Sequence, residues 1–394
     1  MAHILSMLGF STYAALLPEL RDEWGLSNSQ AGIVAGMFFA GYVATVSLWT
    51  ALTDRMDARR VYLTGGVLTA AASAGFGLLA SGFISAVVFQ VVLGVGIAAT
   101  YMPGLRLLSD RVSGPHQSRY IAFYTSFFGI GTALSFAIAG LVAPLYGWRS
   151  AFLLSATGPL AAGLITFISL SPTLGIKVKP FSMRALFPVA AWRRVLADRA
   201  SAGYTLGYAA HCLELFGSRG WMVAFLAYSA SLHTGSSFPW HAAAIAAVVN
   251  LIAVPASIAG NEVALRVGRR RWIVFAMAAS GTSGIILAFG APWHWAVVLA
   301  LLIGYSMFVM AESATLTAGL VAAAPAELRG AALGLYSLLG FAGGLLGPVV
   351  FGAALDAAGG ATRPLAWIAA YAAIGAGCLA APLVVRMNAN KSPL

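Results

Sequence analysis

Long apolar runs separated by short polar turns make up almost the whole chain. Twelve of these runs reach the length of about 20 mostly apolar residues that a helix needs to cross a bilayer. They lie at 3–20, 30–52, 61–80, 83–108, 119–143, 149–171, 200–231, 241–262, 272–290, 293–318, 330–355 and 364–386. The 44 glycines and 16 prolines are spread through them, as membrane helices packed on neighbours tolerate. The pattern predicts an all-α integral membrane protein with twelve transmembrane helices. The longest polar interruption, 172–198, separates six spans from six, giving an N-terminal bundle (1–171), a linker and a C-terminal bundle (199–394).

Hydrophobic residues are 60% of the chain and charged residues 9%, where a soluble domain carries roughly 25% charge. A water-soluble fold is excluded, because it would have no polar surface. Cys212 and Cys378 both lie inside apolar runs, so no disulfide framework is expected. A net charge of +11 raises nucleic acid as a partner, but the distribution of that charge has another explanation. With the N-terminus in the cytoplasm, 19 of the 23 Lys and Arg residues fall in cytoplasmic segments. Arg21, Arg149 and Arg363 fall outside, and Arg219 falls within a span. That bias puts both termini in the cytoplasm of a bacterial inner membrane, with anionic lipid as a contact and no role for nucleic acid. The linker is basic and carries Phe181, Phe187 and Trp192. It reads as a tether, part of which lies as an amphipathic helix at the cytoplasmic interface. The first span begins almost at Met1 and lacks the basic start and cleavage site of a signal peptide. It is read as an uncleaved helix, of a chain either whole or trimmed at its start.

Residues 49–60 read W-T-A-L-T-D-R-M-D-A-R-R and residues 261–271 read N-E-V-A-L-R-V-G-R-R-R. Each basic cluster sits between the second and third spans of its own half, which marks a tandem repeat with halves of shared orientation. On these residues the chain resembles the major facilitator superfamily, built from two pseudo-symmetric six-helix halves. The family's loop usually reads G-x-L-A-D-R-x-G-R-R. Asp54, Arg55 and Arg59 match it, while Thr50, Asp57 and Ala58 depart from it. In the second copy Arg266, Gly268, Arg269 and Arg270 match, and Leu265 stands where the aspartate belongs. The resemblance implies a cytoplasmic gate. Asp54 would latch it with Arg55 and Arg59 as partners or lipid contacts, and Arg269 and Arg270 would be the counterparts in the second half. The plainer reading is that these charges only fix topology. Arg106 and Glu262, near cytoplasmic helix ends, are read as anchors or gate charges. The Gly-Pro pair typical of the fifth span in drug exporters is missing there and stands in the eleventh, as Gly347 and Pro348.

Ionisable side chains at the centre of a membrane helix cost about 2.5 to 3.5 kcal/mol on insertion scales, so they are functional candidates by default. The seventh span, Y-T-L-G-Y-A-A-H-C-L-E-L-F-G-S-R-G-W, holds His211, Glu214 and Arg219. His211 and Glu214 share a helix face at i, i+3, placing them to hold a proton between them. Glu214 and Arg219 would meet only if the helix broke at Gly217 or Gly220, and transporters often put binding sites in broken helices. Apolar surroundings penalise the charged form of Glu214, which makes it the expected proton carrier. Glu312 in the tenth span is a second titratable site or a buried partner for a loop arginine. Arg219 is always charged and suits an anionic group. The alternative for the trio is an ion-pair network that ties the seventh span to a neighbour. His211, Cys212 and Glu214 could be imagined as metal ligands, but no second cluster completes a shell, so no metal or cofactor is expected. Tyr13, Tyr101, Tyr208 and Tyr305 fall in the first, fourth, seventh and tenth spans, which line the central cavity in the resembled family. They either donate hydrogen bonds to substrate or pack.

The reading that joins these observations is a monomeric secondary active transporter moving a small organic solute by alternating access, coupled to protons. Arg219 favours an organic anion. Proton-driven export of drugs or metabolites is the alternative, and a non-transporting membrane sensor is the reading from a different class. The sequence has no G-x-x-x-x-G-K-[ST], H-E-x-x-H or G-x-S-x-G, which argues against ATP drive and against an enzyme. A cysteine introduced at Ser182 is expected to be labelled only from the cytoplasmic side and one at Ser237 only from outside. Labelling of both from one side would overturn the six-plus-six topology.

Overall fold

The computed structural model describes residues 1–112, 117–172, 187–233 and 238–389. Phe181, Ser182 and Ser237 lie outside the described residues. The helices, in chain order, are α1 (Ala2–Ser6), α2 (Thr12–Glu23), α3 (Asn28–Leu52), α4 (Ala58–Leu79), α5 (Phe83–Ser109), α6 (Gln117–Ser169) and α7 (Val189–Ala197). They continue as α8 (Arg199–Ser231), α9 (Ala242–Val267), α10 (Arg269–Phe289), α11 (Trp295–Ala311), α12 (Ser313–Ala323), α13 (Arg329–Ala357) and α14 (Pro364–Ala389). Among the described residues every regular element is helical, and nine helices are long and apolar enough to cross a membrane. Leu79, Ile84, Leu164 and Ile168 are exposed on one set of helices and Leu206, Phe275 and Phe289 on another. Such faces suit hydrocarbon and would drive aggregation in water. The protein is an integral membrane protein.

The chain forms two compact units. The first comprises Met1–Leu26, Val34–Phe187 and Trp240–Leu251, and the second Ser27–Ile33, Pro188–Pro239 and Ile252–Leu394.

In the first unit α4 packs along α5 and α6, and α1 and α2 pack on α6. The expected first span is not one helix but two, with turns at 7–11 between α1 and α2. Side chains of α6 serve the interruption. The Ser11 N–H donates to Ser135 Oγ at 3.0 Å, and Thr12 Oγ1 lies 3.0 Å from Ser155 Oγ. Non-helical backbone at membrane depth persists only where such partners exist. The expected fifth and sixth spans together form α6, bent at Gly147 with φ 78° and ψ 160°, a conformation that glycine reaches without a Cβ penalty. Below α2, Phe76 stacks on Phe152 with centroids 4.0 Å apart, and Trp148 Nε1 donates to Glu23 Oε2 at 2.6 Å.

In the second unit α8 packs chiefly on α13. It is continuous through Gly217 and Gly220, where a break was the condition for Glu214 to meet Arg219. Gly217 has another use. A Cβ there would come within 3.1 Å of the Gly347 carbonyl oxygen, and one on Gly347 would overlap the Leu213 carbonyl. Small residues let membrane helices approach backbone to backbone in this way. Trp221 Nε1 donates to Pro348 O at 3.0 Å beside this contact. From the linker, α7 buries Val195 against Leu320, Ala324, Leu328 and Ala332. At the end of α13, Asp356 takes four hydrogen bonds. Oδ1 accepts from the Asn28 N–H at 3.2 Å and from Asn28 Nδ2 at 2.8 Å, and Oδ2 accepts from the Ser29 N–H at 2.7 Å and Ser29 Oγ at 2.6 Å. A carboxylate so placed satisfies orphan donors of the first turn of α3 and complements its dipole.

Replacing Asp356 with alanine removes all four bonds at once and is expected to cost about 1 to 3 kcal/mol, read as a lower unfolding temperature in detergent. Ser29→Ala loses one bond and should shift the transition less. An Asp356→Ala protein as stable as the parent would refute the capping role.

Candidate functional site

The buried ionisable groups of the second unit come together, but with partners other than those the spacing suggested. His211 Nδ1 lies 3.0 Å from Glu312 Oε1, with side chains 1% and 0% exposed. The carboxylate bonded to His211 is thus Glu312, not Glu214. Among the described residues Glu312 pairs with no loop arginine. Glu312 stands at the single position between α11 and α12, with its backbone in the right-handed helical region. The Ala311 carbonyl at that junction accepts from Trp272 Nε1 at 3.0 Å. Glu214, equally buried, accepts instead from Ser280 Oγ of α10 at 2.8 Å. One helical turn before His211, Tyr208 stacks on Tyr336 with centroids 3.8 Å apart and lies 5.6 Å from the His211 ring. The hydroxyl of Tyr336 is 2.8 Å from Thr317 Oγ1. Tyr305 is buried edge-on to Tyr371.

Arg219 stands apart from these carboxylates. Five residues along an unbroken helix is roughly 140° around its axis, which explains why it does not pair with Glu214. Its residue exposure is 9%, and its Nη2 donates to the thioether Sδ of Met310 at 3.4 Å. Among the described residues it makes no ion pair. A soft sulfur is a weak acceptor for a guanidinium with five N–H donors. Among the described residues no three potential metal ligands gather, and Cys212 and Cys378 are both buried free thiols.

In the first unit Tyr13 of α2 is buried, edge-on to Phe76, and Tyr101 lies among His3, Tyr124 and Phe128. Asp54 Oδ1 accepts from Arg106 Nη1 at 3.2 Å, and Arg106 Nε also bonds Asp110 at 2.8 Å. Arg59, expected as an Asp54 partner, instead donates to the Phe167 carbonyl at 2.6 Å and covers the Phe167 ring at 4.6 Å. Arg55 follows Asp54 in the same turn, and Arg269 and Arg270 begin α10.

Residues 1–348 match the family described as Major Facilitator Superfamily. The chain belongs to the major facilitator superfamily. Relatives of this superfamily member include the niacin transporter NiaP of Acinetobacter baylyi, 23% identical over 141 residues, 36% of this chain and 32% of that one. The 4-hydroxybenzoate transporter PcaK of the same organism is 25% identical over 158 residues, 39% of this chain and 34% of that one. The matches therefore span about a third of the length of these curated relatives. Among solved structures, a bacterial homolog of the human lysosomal transporter Spinster, inward-facing and unoccupied, superposes with a TM-score of 0.76. It is 15% identical, over 99% of this chain and 93% of that one, a likeness that carries the fold alone. The family and these relatives are transporters, not enzymes.

Several residues of this facilitator escaped sequence reasoning. Asp57, a departure from the family loop, caps α4 by accepting from the Arg59 N–H at 3.0 Å; an aspartate just before a long apolar run is the signal that could have found it. Ser280 and Trp272 gave no such signal, because hydroxyls and indoles are common in membrane helices. The His211 and Glu312 contact generates a direct test. In a double-mutant cycle of His211→Gln and Glu312→Gln, the coupling energy is expected between about 0.5 and 3 kcal/mol, measured by thermal or denaturant unfolding. A cycle of His211→Gln with Glu214→Gln should give a smaller value, and the reverse ranking would contradict the pairing.

Proposed function

We propose that this facilitator is a proton-coupled secondary active transporter of a small organic anion, working by alternating access. The observation that carries the reading is Arg219, a buried cation whose hydrogen-bond acceptor among the described residues is a thioether. A buried charge calls for a counter-charge, and a substrate carboxylate would supply one in the bidentate geometry a guanidinium favours. The relatives agree in kind, since niacin and 4-hydroxybenzoate are both organic acids.

In this reading twelve spans form two halves, 1–171 and 199–394, joined by the linker 172–198. Both termini face the cytoplasm of a bacterial inner membrane, with anionic lipid around the basic segments, and the transporter is a monomer. Glu214 carries the proton. Buried at 1% exposure beside a neutral serine hydroxyl, its charged form is costly in a dry environment and tolerated in a wet one. His211 and Glu312 form a second proton-holding pair, whose occupancy is coupled to that of Glu214. Tyr208 and Tyr305 in the second unit, and Tyr13 and Tyr101 in the first, are the tyrosines assigned to substrate binding in this reading. Asp54, Arg55, Arg59, Arg269 and Arg270 make the cytoplasmic gate, with Arg106 as the direct partner of Asp54.

Accumulation of labelled nicotinate or 4-hydroxybenzoate in proteoliposomes tests this. Glu214→Gln mimics the protonated acid, so it is expected to abolish accumulation driven by a pH gradient while retaining exchange at equal pH. Arg219→Lys keeps the charge but loses the planar fork, and should weaken binding of the anion about tenfold, the equivalent of 1.4 kcal/mol. Continued uphill accumulation by Glu214→Gln would move the carrier role to Glu312.

A further inference from the structure

His3 is the one buried imidazole of the first unit among its described residues, and its surroundings do not explain its polarity. It is 5% exposed, yet neither Nδ1 nor Nε2 has a hydrogen-bond partner. Two hydrogen-bonding atoms buried without partners destabilise the chain that carries them, and such a pair is retained where a ligand completes it.

What surrounds the ring is aromatic and held in place. Tyr124 stacks on His3 with centroids 4.0 Å apart and planes 13° apart, and Tyr101 lies at 5.3 Å. The Tyr124 hydroxyl donates to the Tyr101 carbonyl at 2.8 Å, which fixes both rings relative to the imidazole. Phe128 stands edge-on to Tyr101 at 5.9 Å and to Phe10 at 5.0 Å. Phe10 belongs to the interruption between α1 and α2. Phe10, Tyr101, Tyr124 and Phe128 are all half-buried, less enclosed than the imidazole they surround.

We propose that His3 and this group of rings form a subsite for a flat aromatic or heteroaromatic carboxylate. The rings hold the ligand ring by edge-to-face and offset stacking, and the imidazole N–H donates to one of its oxygens. Neutral imidazole offers one donor and one acceptor, so a ring hydroxyl or N–H on the ligand would satisfy the second nitrogen. Aliphatic and sugar acids carry the oxygens but lack the flat ring that seats them against the imidazole, so they do not use this subsite. The subsite thus narrows the organic anion to an aromatic acid, and in that respect it rests on the anion reading above.

Equilibrium binding of three probes to the full chain in detergent separates the two ideas: benzoate, cyclohexanecarboxylate and the neutral benzamide. The parent protein is expected to bind benzoate about tenfold more tightly than cyclohexanecarboxylate. His3→Ala should remove that preference while leaving cyclohexanecarboxylate binding unchanged, and His3→Asn, which restores a donor and an acceptor, should recover part of it. Phe128→Leu keeps apolar bulk and loses the ring, so it should lower the preference even if His3→Ala proves unstable. Benzamide bound as tightly as benzoate, and weakened by His3→Ala, would uphold the aromatic subsite and sink the anion reading. Equal binding of benzoate and cyclohexanecarboxylate, absence of binding by either aromatic probe, or equal loss of all three in His3→Ala would overturn the subsite.

Discussion

Lipid offers no hydrogen-bond partner, so each place where this chain leaves the helix inside the bilayer has to carry its own. Two such places shape the protein. Between α1 and α2 the freed Ser11 amide is taken by Ser135, with Thr12 and Ser155 beside it. Between α11 and α12 the Ala311 carbonyl is taken by Trp272. In each unit the donor or acceptor comes from a neighbouring helix, so the irregular backbone is stable only as part of the packed bundle. Phe10 and Glu312 sit on these two interruptions, and the chemistry described above is therefore tied to them.

The same scarcity of partners governs the side chains. Glu312 has His211 and Glu214 has Ser280, and each acid is held by a helix other than its own. Removing one member of a buried pair leaves the other exposed to the full desolvation penalty. Glu312 Oε2 and His211 Nε2 nonetheless lack a hydrogen-bond partner, and Arg219 meets the thioether of Met310, a weak acceptor. The second unit thus gives its buried acids hydrogen-bonding partners from other helices and its buried cation a soft sulfur.

What could be read from the sequence divides along the range of the interactions involved. Spans were legible because length and apolar content are local properties, and the bend of α6 falls where the apolar pattern lapses, near Gly147. The break in the first span was not legible. Its residues are apolar, and its partners stand 124 and 143 positions away. Helical spacing rightly put His211 and Glu214 near one another, yet it could not show that Glu312, 101 positions on, takes the histidine. The family loop around Asp54 was found through its motif, while the Asp54 partner, Arg106, lies 52 positions away on α5. Gly217 carried an ambiguous signal, since a glycine in a membrane helix can permit either a break or a close approach. Gly347 decides between them, and nothing near Gly217 in the sequence points to it.

That glycine contact has a mechanical meaning. On α13, Gly340 faces the Tyr208 ring, Gly343 would bring a Cβ within 3.0 Å of the Leu213 nitrogen, and Gly347 meets the Leu213 carbonyl. The three form a seam against which α8 rests over more than two turns. A helix seated backbone to backbone cannot roll about its long axis without collision, much as a keyed shaft cannot slip in its hub. The azimuth of α8 then fixes where His211, Glu214 and Arg219 point. A single methyl group added along the seam would re-aim all three together, so the chemistry of the unit is set in part by residues that have no side chain and need meet no ligand.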